Sequence, residues 1–287
     1  MAASVQTSMG ATMVPTTCPV CNDTRREPSL RLRLLQRHTV GFSLCRTCGL
    51  LQTEAPYWLE EAYAAPIADT DTGIMQRNLE NARFLDMLLR YAFEATGSFV
   101  DVAGGYGILT RLLRDRGYDV LRSDKYCPNL LAEGHEPHEG LRARALFAFE
   151  VLEHVHDPLA FVEGEFQRYG CRSLVFSTQT YGDQVPDADW WYYSPETGQH
   201  ISFYQRRTLQ TLAQRLGCAY FCVHSGLHLF TERPLHPALK RVLRSRRLRR
   251  LLEAWCWHRP LREPLTWADH EAAKQRLLNA SHADASP

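Results

Sequence analysis

The sequence predicts an α/β fold, and three observations carry that reading. Between Ser98 and about Phe230, short strand-like runs alternate with helical stretches. A glycine-rich turn joins the first of those strands to an amphipathic helix. Four cysteines in two tight pairs stand ahead of this region as a module of their own. With 287 residues and 45% apolar content, the chain can bury one large core or two smaller ones. Thirty-three Lys and Arg stand against 32 Asp and Glu, which excludes a globally basic nucleic-acid coat and an acidic disordered chain. No apolar run approaches the ~20 residues that span a bilayer, and the N-terminus lacks a charged-then-apolar export signal. A cytoplasmic protein is expected.

Composition divides the chain into five stretches. Residues 1–15 are small, polar and uncharged, and read as a disordered tail. Residues 16–52 carry four of the nine cysteines. Residues 53–96 form a helical linker or lid. Its helix runs from about Gly73 to Phe93, with Leu79, Ala82, Phe84, Leu85, Leu88, Leu89 and Ala92 recurring mostly at spacings of three and four. Residues 97–230 make the α/β core. Residues 231–287, rich in Arg and poor in β-branched residues, form a helical extension.

Nine cysteines in a reducing compartment make no disulfide framework, and an odd count cannot fully pair. Cys18-Pro-Val-Cys21 and Cys45-Arg-Thr-Cys48 are C-x2-C pairs with 23 residues between them. Each pair turns two thiolates toward one ion, and four thiolates close a tetrahedral zinc site at S–Zn distances of roughly 2.3 Å. Leu30-Arg-Leu-Arg-Leu34 and Val40-Gly-Phe-Ser-Leu44 alternate like a small hairpin between the pairs. The segment reads as a zinc ribbon. Four thiolates leave no open position, so a structural zinc is expected.

The sharpest chemical signal is Ser98-Phe-Val-Asp-Val-Ala-Gly104-Gly-Tyr-Gly107, followed by Ile-Leu-Thr-Arg-Leu-Leu. A short apolar strand ends at Ala103, and Gly104, Gly105 and Gly107 let the backbone turn sharply beneath a ligand. Tyr118-Asp-Val-Leu-Arg-Ser-Asp124 makes a second strand ending in an acid, about where an acid grips ribose hydroxyls. The dinucleotide fingerprint G-x-G-x-x-G is absent, which disfavours NAD.

This D-x-A-G-G-x-G stretch resembles motif I of the class I S-adenosylmethionine (SAM)-dependent methyltransferases. The resemblance implies a Rossmann-like sheet of seven strands. It also implies that Asp101 and the Gly104, Gly105 and Gly107 turn line the amino-acid end of SAM. Asp124 then holds the ribose, and Lys125 and Tyr126 flank the adenine. Arg77, on a segment that closes over SAM in related enzymes, matches the SAM carboxylate bidentately.

Ala145 to Phe149 reads as a buried strand entering Glu150-Val-Leu-Glu153-His154-Val-His-Asp157-Pro158. The phrase resembles the fourth-strand region of many SAM methyltransferases, where Glu150 shapes the SAM pocket. Its E-x-x-E-H spacing offers two hard oxygens and an imidazole to one cation. It resembles metal-dependent O-methyltransferases, among them the small-RNA 3′-terminal 2′-O-methyltransferases and ubiquinone-pathway enzymes. His200 stands where the RNA family has a further histidine. Two readings stay open: Glu150, Glu153, His154 and His200 bind a second divalent cation, or His200, and after it His154, acts without metal as general base.

Ser173 to Ser177 fits another buried strand, and Trp190-Trp-Tyr-Tyr193 follows in a long loop. Four consecutive aromatics cannot all be buried on one face, so some line a cleft. The run W-Y-Y-x-x-x-x-G-Q-H-x-S-F-Y resembles a bacterial methyltransferase group linked to saccharide and natural-product biosynthesis. Lys240 to Arg250 holds seven cations in eleven residues beside an apolar stripe of Leu239, Val242, Leu243, Leu248, Leu251 and Leu252. The expected activity is SAM-dependent O- or C-methylation of a small-molecule acceptor, a sugar or nucleotide-linked intermediate. The rivals are a metal-dependent RNA 2′-O-methyltransferase and a non-catalytic SAM- and zinc-binding scaffold.

Overall fold

The computed structural model describes residues 17–64, 67, 70–93 and 95–284. The expected tail, residues 1–15, lies outside them. The hairpin between the cysteine pairs forms as β1 (Arg26–Leu34) and β2 (His38–Cys45), paired antiparallel. Leu32, Leu34, Val40 and Phe42 fall on the inner face because alternate side chains of a strand share a side. Next come β3 (Leu51–Thr53), the short α1 (Leu59–Ala62) and α2 (Ile74–Tyr91). The α/β region then runs β4 (Ser98–Val102), α3 (Ile108–Arg114), β5 (Asp119–Ser123), β6 (Ala143–Ala148), α4 (Pro158–Tyr169) and β7 (Leu174–Ser177). It continues through β8 (Thr180–Tyr181), β9 (Ser202–Gln205), α5 (Arg206–Arg215), β10 (Ala219–His224) and β11 (Leu227–Thr231). Helices α6 (Pro237–Arg244), α7 (Arg246–His258) and α8 (Thr266–Asp284) close the chain, as the Arg-rich composition predicts.

The main sheet has the order β10-β11-β7-β6-β4-β5. Strands β5, β4, β6 and β7 are parallel; β11 runs antiparallel to β7, and the edge strand β10 antiparallel to β11. Phe99, Ala145 and Phe147 face Leu85, Leu88, Leu109 and Leu113 of α2 and α3, with Leu239, Leu243 and Cys256 from the C-terminal helices. Val100, Val102, Leu146 and Ala148 face the other way, onto Val162, Phe166, Leu209 and Leu212 of α4 and α5. The sheet is thus buried on both faces, which is why its parallel strands read as continuous apolar runs. Local chemistry sets the element ends. In α4, Asp157 caps the start by accepting from Ala160 N–H at 3.0 Å, and Pro158 occupies the first turn. Gly170, at φ +58°, ends that helix.

The sheet has six strands where the resemblance implies seven. The stretch between Ser123 and Ala143 carries neither strand nor helix. A second sheet has the order β1-β2-β3-β9-β8, so the cysteine module pairs directly with the chain around residue 203. Phe42, Leu51, Trp58, Tyr181, Tyr192, Tyr193, Ile201 and Phe203 pack together with this sheet. Of the four consecutive aromatics, Tyr192 and Tyr193 are buried and Trp191 is exposed, the division that one-sided burial requires. The C-terminal extension is anchored by Asp269, which accepts from Arg114 Nε at 2.8 Å and Nη2 at 2.7 Å. No helix among the described residues is long and apolar enough to cross a membrane.

Candidate active site

The glycine-rich turn lies at the carboxyl end of β4, where ligands bind in open α/β sheets. Gly107, at φ +86°, is buried and opens α3; a Cβ there would meet Asn129 Oδ1 at 2.9 Å and the Ala132 Cβ at 3.0 Å. A Cβ on Gly104 would lie 2.6 Å from Asp101 Oδ2. Ala103 takes φ +54°, a conformation that costs a residue with a Cβ about 1–2 kcal/mol.

Asp101 is buried at the end of β4 and accepts from Thr110 Oγ1 at 3.1 Å. Burial pushes its carboxyl up to about 7, against the pull of Thr110 and Arg122. A raised folded-state value means that stability is full below the ordinary 3.8 and is lost as pH climbs through 7. An Asp101→Asn chain, free of that titration, should gain thermal stability over the parent as pH rises from 5 to 8. The gain is bounded by about 1.4 kcal/mol per pH unit across the window. Melting both SAM-free proteins side by side cancels any loss from the cysteine module, and parallel curves would refute the assignment.

Asp124 directly follows β5 and is held by backbone donors. Its Oδ2 accepts from Gly105 N–H at 2.9 Å, and its Oδ1 accepts from Tyr126 N–H at 2.7 Å and Cys127 N–H at 2.8 Å. Arg122 Nε donates to the Gly105 carbonyl at 2.9 Å, and its Nη2 donates to that of Cys127, tying the two loops together. Lys125 is exposed, its ammonium 5.4 Å from the Tyr126 ring centroid. Tyr126 in turn stacks on Tyr63, with centroids 5.4 Å apart and planes at 18°. Arg77 stands in the first turn of α2 with its guanidinium on Asp71 Oδ1 at 2.6 Å, so an internal carboxylate occupies it.

The acidic-histidine segment delivers three of its four named groups to one place. A carboxylate oxygen of Glu153 and one ring nitrogen each of His154 and His200 lie within 4.8 Å of one another. His154 Nδ1 donates to the Gln199 carbonyl at 3.1 Å, and His200 Nδ1 to the Tyr192 carbonyl at 2.7 Å. A carbonyl can only accept, so each Nδ1 carries the proton and each Nε2 keeps its lone pair. The rings sit 4.9 Å apart, edge to face. Burial, then the neighbouring His200, lowers His154 to about 3; burial lowers His200 as well. Glu153 is fully buried. Burial and the nearby Glu150 raise its carboxyl to about 8. Its Oε1 accepts from Tyr192 OH at 2.7 Å, while its Oε2 is buried with no hydrogen-bond partner among the described residues.

Glu150 stands outside this group, which corrects the four-residue set read from the sequence. At φ +56° it turns its carboxylate to Ser177, whose Oγ donates to Oε1 at 2.5 Å and accepts from Glu150 N–H at 2.7 Å. Three further side chains complete the site. Tyr192 holds Glu153, and Ser177 holds Glu150. Tyr63 lies 6.2 Å from the His154 ring and stacks on Tyr126, joining the histidines to the Asp124 loop. No motif marks Tyr63 or Ser177; Tyr192 was visible only as one of four aromatics.

The four cysteines gather as their spacing predicts. Cys18 Sγ lies 3.5 Å from Cys48 Sγ, Cys21 Sγ 3.5 Å from Cys45 Sγ, and all four within 4.8 Å of one another. A tetrahedron of 2.3 Å bonds has edges of roughly 3.8 Å, so this donor set fits a zinc ion. Gly49, at φ +78°, makes the second knuckle, and a Cβ there would lie 2.0 Å from Gln205 Oε1. Thr208 Oγ1 donates to the Cys48 carbonyl at 2.8 Å and Tyr181 OH to that of Gly49 at 2.6 Å, docking the knuckle on the α/β region.

A family model described as a methyltransferase domain matches residues 75–223. Among solved structures the chain is similar to an O-methyltransferase family protein from Burkholderia thailandensis, at 15% identity, 66% coverage of each chain and a TM-score of 0.45. It is also similar to CalO1, a methyltransferase in calicheamicin biosynthesis with SAH bound, at 13% identity, 61% coverage of each chain and a TM-score of 0.39. A third is the magnesium protoporphyrin IX methyltransferase ChlM of Synechocystis PCC 6803, at 12% identity and a TM-score of 0.38, covering 61% of this chain and 94% of that one. The match spans about three fifths of the CalO1 chain. No curated protein matches.

Proposed function

We propose, from the premise that this chain belongs to the methyltransferase-domain family, that it moves the methyl group of SAM to a hydroxyl of a small-molecule acceptor. A sugar-like or natural-product intermediate is the acceptor class that the aromatic run around His200 supports. One observation supports placing the acceptor here: Glu153 Oε2 is buried without a hydrogen-bond partner among the described residues, beside two imidazoles whose Nδ1 atoms donate to carbonyls.

Asp124 is the group for the ribose hydroxyls, between Gly105 and the Tyr126 ring. Asp101 lies beneath the turn that takes the amino-acid end, where any side chain at Gly104 would intrude. SAM supplies an electrophilic methyl on a sulfonium, and the acceptor oxygen displaces a neutral thioether in one step. The chain's task is alignment and proton handling. Nε2 of His200 takes the hydroxyl proton, and the Tyr192 carbonyl holds the ring in the tautomer that can accept it.

In the alternative form the same Nε2 atoms, which then cannot take a proton, and Glu153 Oε2 make a two-nitrogen, one-oxygen donor set that fits a divalent cation. Donation of each Nδ1–H to a carbonyl is the outer-shell bond that ligating histidines make. Glu153, His154 and His200 would hold the ion, which would lower the barrier to losing the acceptor proton. The four cysteines would hold a structural zinc.

Calorimetry with S-adenosylhomocysteine tests the foundation. The zinc-loaded protein should bind it, and Asp124→Ala should weaken binding by about 2–4 kcal/mol, since the ribose loses its acceptor and Gly105 N–H its partner. No binding by the parent, or an unchanged Asp124→Ala, would remove the reading.

A further inference from the structure

The apolar stripe of the C-terminal extension is split by the fold. Leu239 and Leu243 are buried and Leu252 and Trp257 pack against the core, but Leu248 is 45% exposed, Leu251 61% and Trp255 47%. These three recur at i, i+3 and i+7 on α7 and so form one outward stripe. Arg246, Arg247 and Arg250 are exposed beside it. From Pro237 to Arg259 the chain carries eight Lys or Arg and one acid, Glu253, which pairs with Arg249 at 3.3 Å. The whole chain is only +1, so a net +7 here leaves the rest at −6. The positive charge is therefore concentrated on the α6–α7 pair, and α7 also presents leucines and a tryptophan to solvent.

We propose that the outer face of α7 docks on an anionic lipid surface, Leu248, Leu251 and Trp255 entering the headgroup region while Arg246, Arg247 and Arg250 meet lipid phosphates. A helix with a cationic flank, an adjoining apolar stripe and no spanning length lies in the plane of the interface. A nucleic acid would engage the arginines but has no use for the two exposed leucines beside them. The inference is independent of the methyl-transfer reading, since α7 contributes none of the residues of the glycine turn or the histidine cluster.

The test is co-sedimentation of the full-length, zinc-loaded protein with vesicles of phosphatidylcholine alone and of phosphatidylcholine mixed with phosphatidylglycerol. The protein should pellet with the mixed vesicles, not with the neutral ones, and binding should fall as salt rises from about 0.05 to about 0.5 M. The triple variant Arg246→Gln/Arg247→Gln/Arg250→Gln should lose about tenfold or more. Leu251→Ser/Trp255→Ser should lower binding while keeping the charge. Both alter exposed side chains, and thermal melting beside the parent checks that each is folded. Equal binding to both vesicle types, no binding at low salt, indifference to both variants, or displacement from the vesicles by equimolar single-stranded RNA would overturn the proposal.

Discussion

A Cys48→Ser chain should lose its bound zinc and melt about 10 °C below the parent. Cys18, Cys45 and Cys48 are buried, and the knuckles they form sit against Leu50, Leu209 and Leu212. Three thiolates and a hydroxyl hold zinc far less well than four thiolates, and metal-binding free energy in such a module is folding free energy. The cost spreads because β3 joins the cysteine hairpin to β9, which follows His200 directly. We expect a loss of about 3–5 kcal/mol, taken at roughly 2–4 °C per kcal/mol for a chain of this size. Metal analysis and thermal melting of the same preparation check it. Cys171→Ser, a buried cysteine outside the cluster, should keep the zinc. A parent protein that purifies without zinc, or a Cys48→Ser variant that melts with it, would show that the cluster is ordinary core.

His200→Ala should lower kcat by about 10²–10⁴ while leaving S-adenosylhomocysteine affinity within about twofold. The imidazole is held by the Tyr192 carbonyl and makes no hydrogen bond to Asp124 among the described residues, so on the proposed reading its removal touches the acceptor rather than SAM. Labelled methyl transfer to a panel of phenols and sugar hydroxyls gives the rate, and calorimetry gives the affinity. Dialysis of the zinc-loaded parent against Mn2+ should retain one further ion, which His200→Ala and Glu153→Gln both release. Retention of Mn2+ by both variants would sink the cation site and leave methyl transfer untouched. An unchanged kcat would sink the role of His200 in either form.

The parts of the site legible in the sequence are those where covalent spacing does the placing. The two C-x2-C pairs reach one another because a two-strand hairpin returns the chain, and that hairpin is written in the alternation of residues 30–44. Gly104, Gly105 and Gly107 sit at a strand–helix junction, where three glycines have few other uses. Asp124 follows one βαβ unit later, at the end of the neighbouring parallel strand. Glu150 was misplaced because a one-dimensional spacing cannot show a left-handed backbone: φ +56° turns its carboxylate to Ser177 on β7. The seventh strand was an expectation from family likeness, and the main sheet of the described residues has six.

By itself, then, the order of residues determined the α/β alternation, the cysteine hairpin, the glycine elbow and the helical end of the chain, because each arises from near neighbours and a repeating period. Tertiary packing alone decided that His200, 46 residues after His154, closes on it and on Glu153. It also decided that the cysteine hairpin shares a sheet with β9, and that Leu248, Leu251 and Trp255 stay outside while Leu243 and Cys256 go in. Those outcomes depend on which surfaces meet across long stretches of chain, and no local pattern records that meeting.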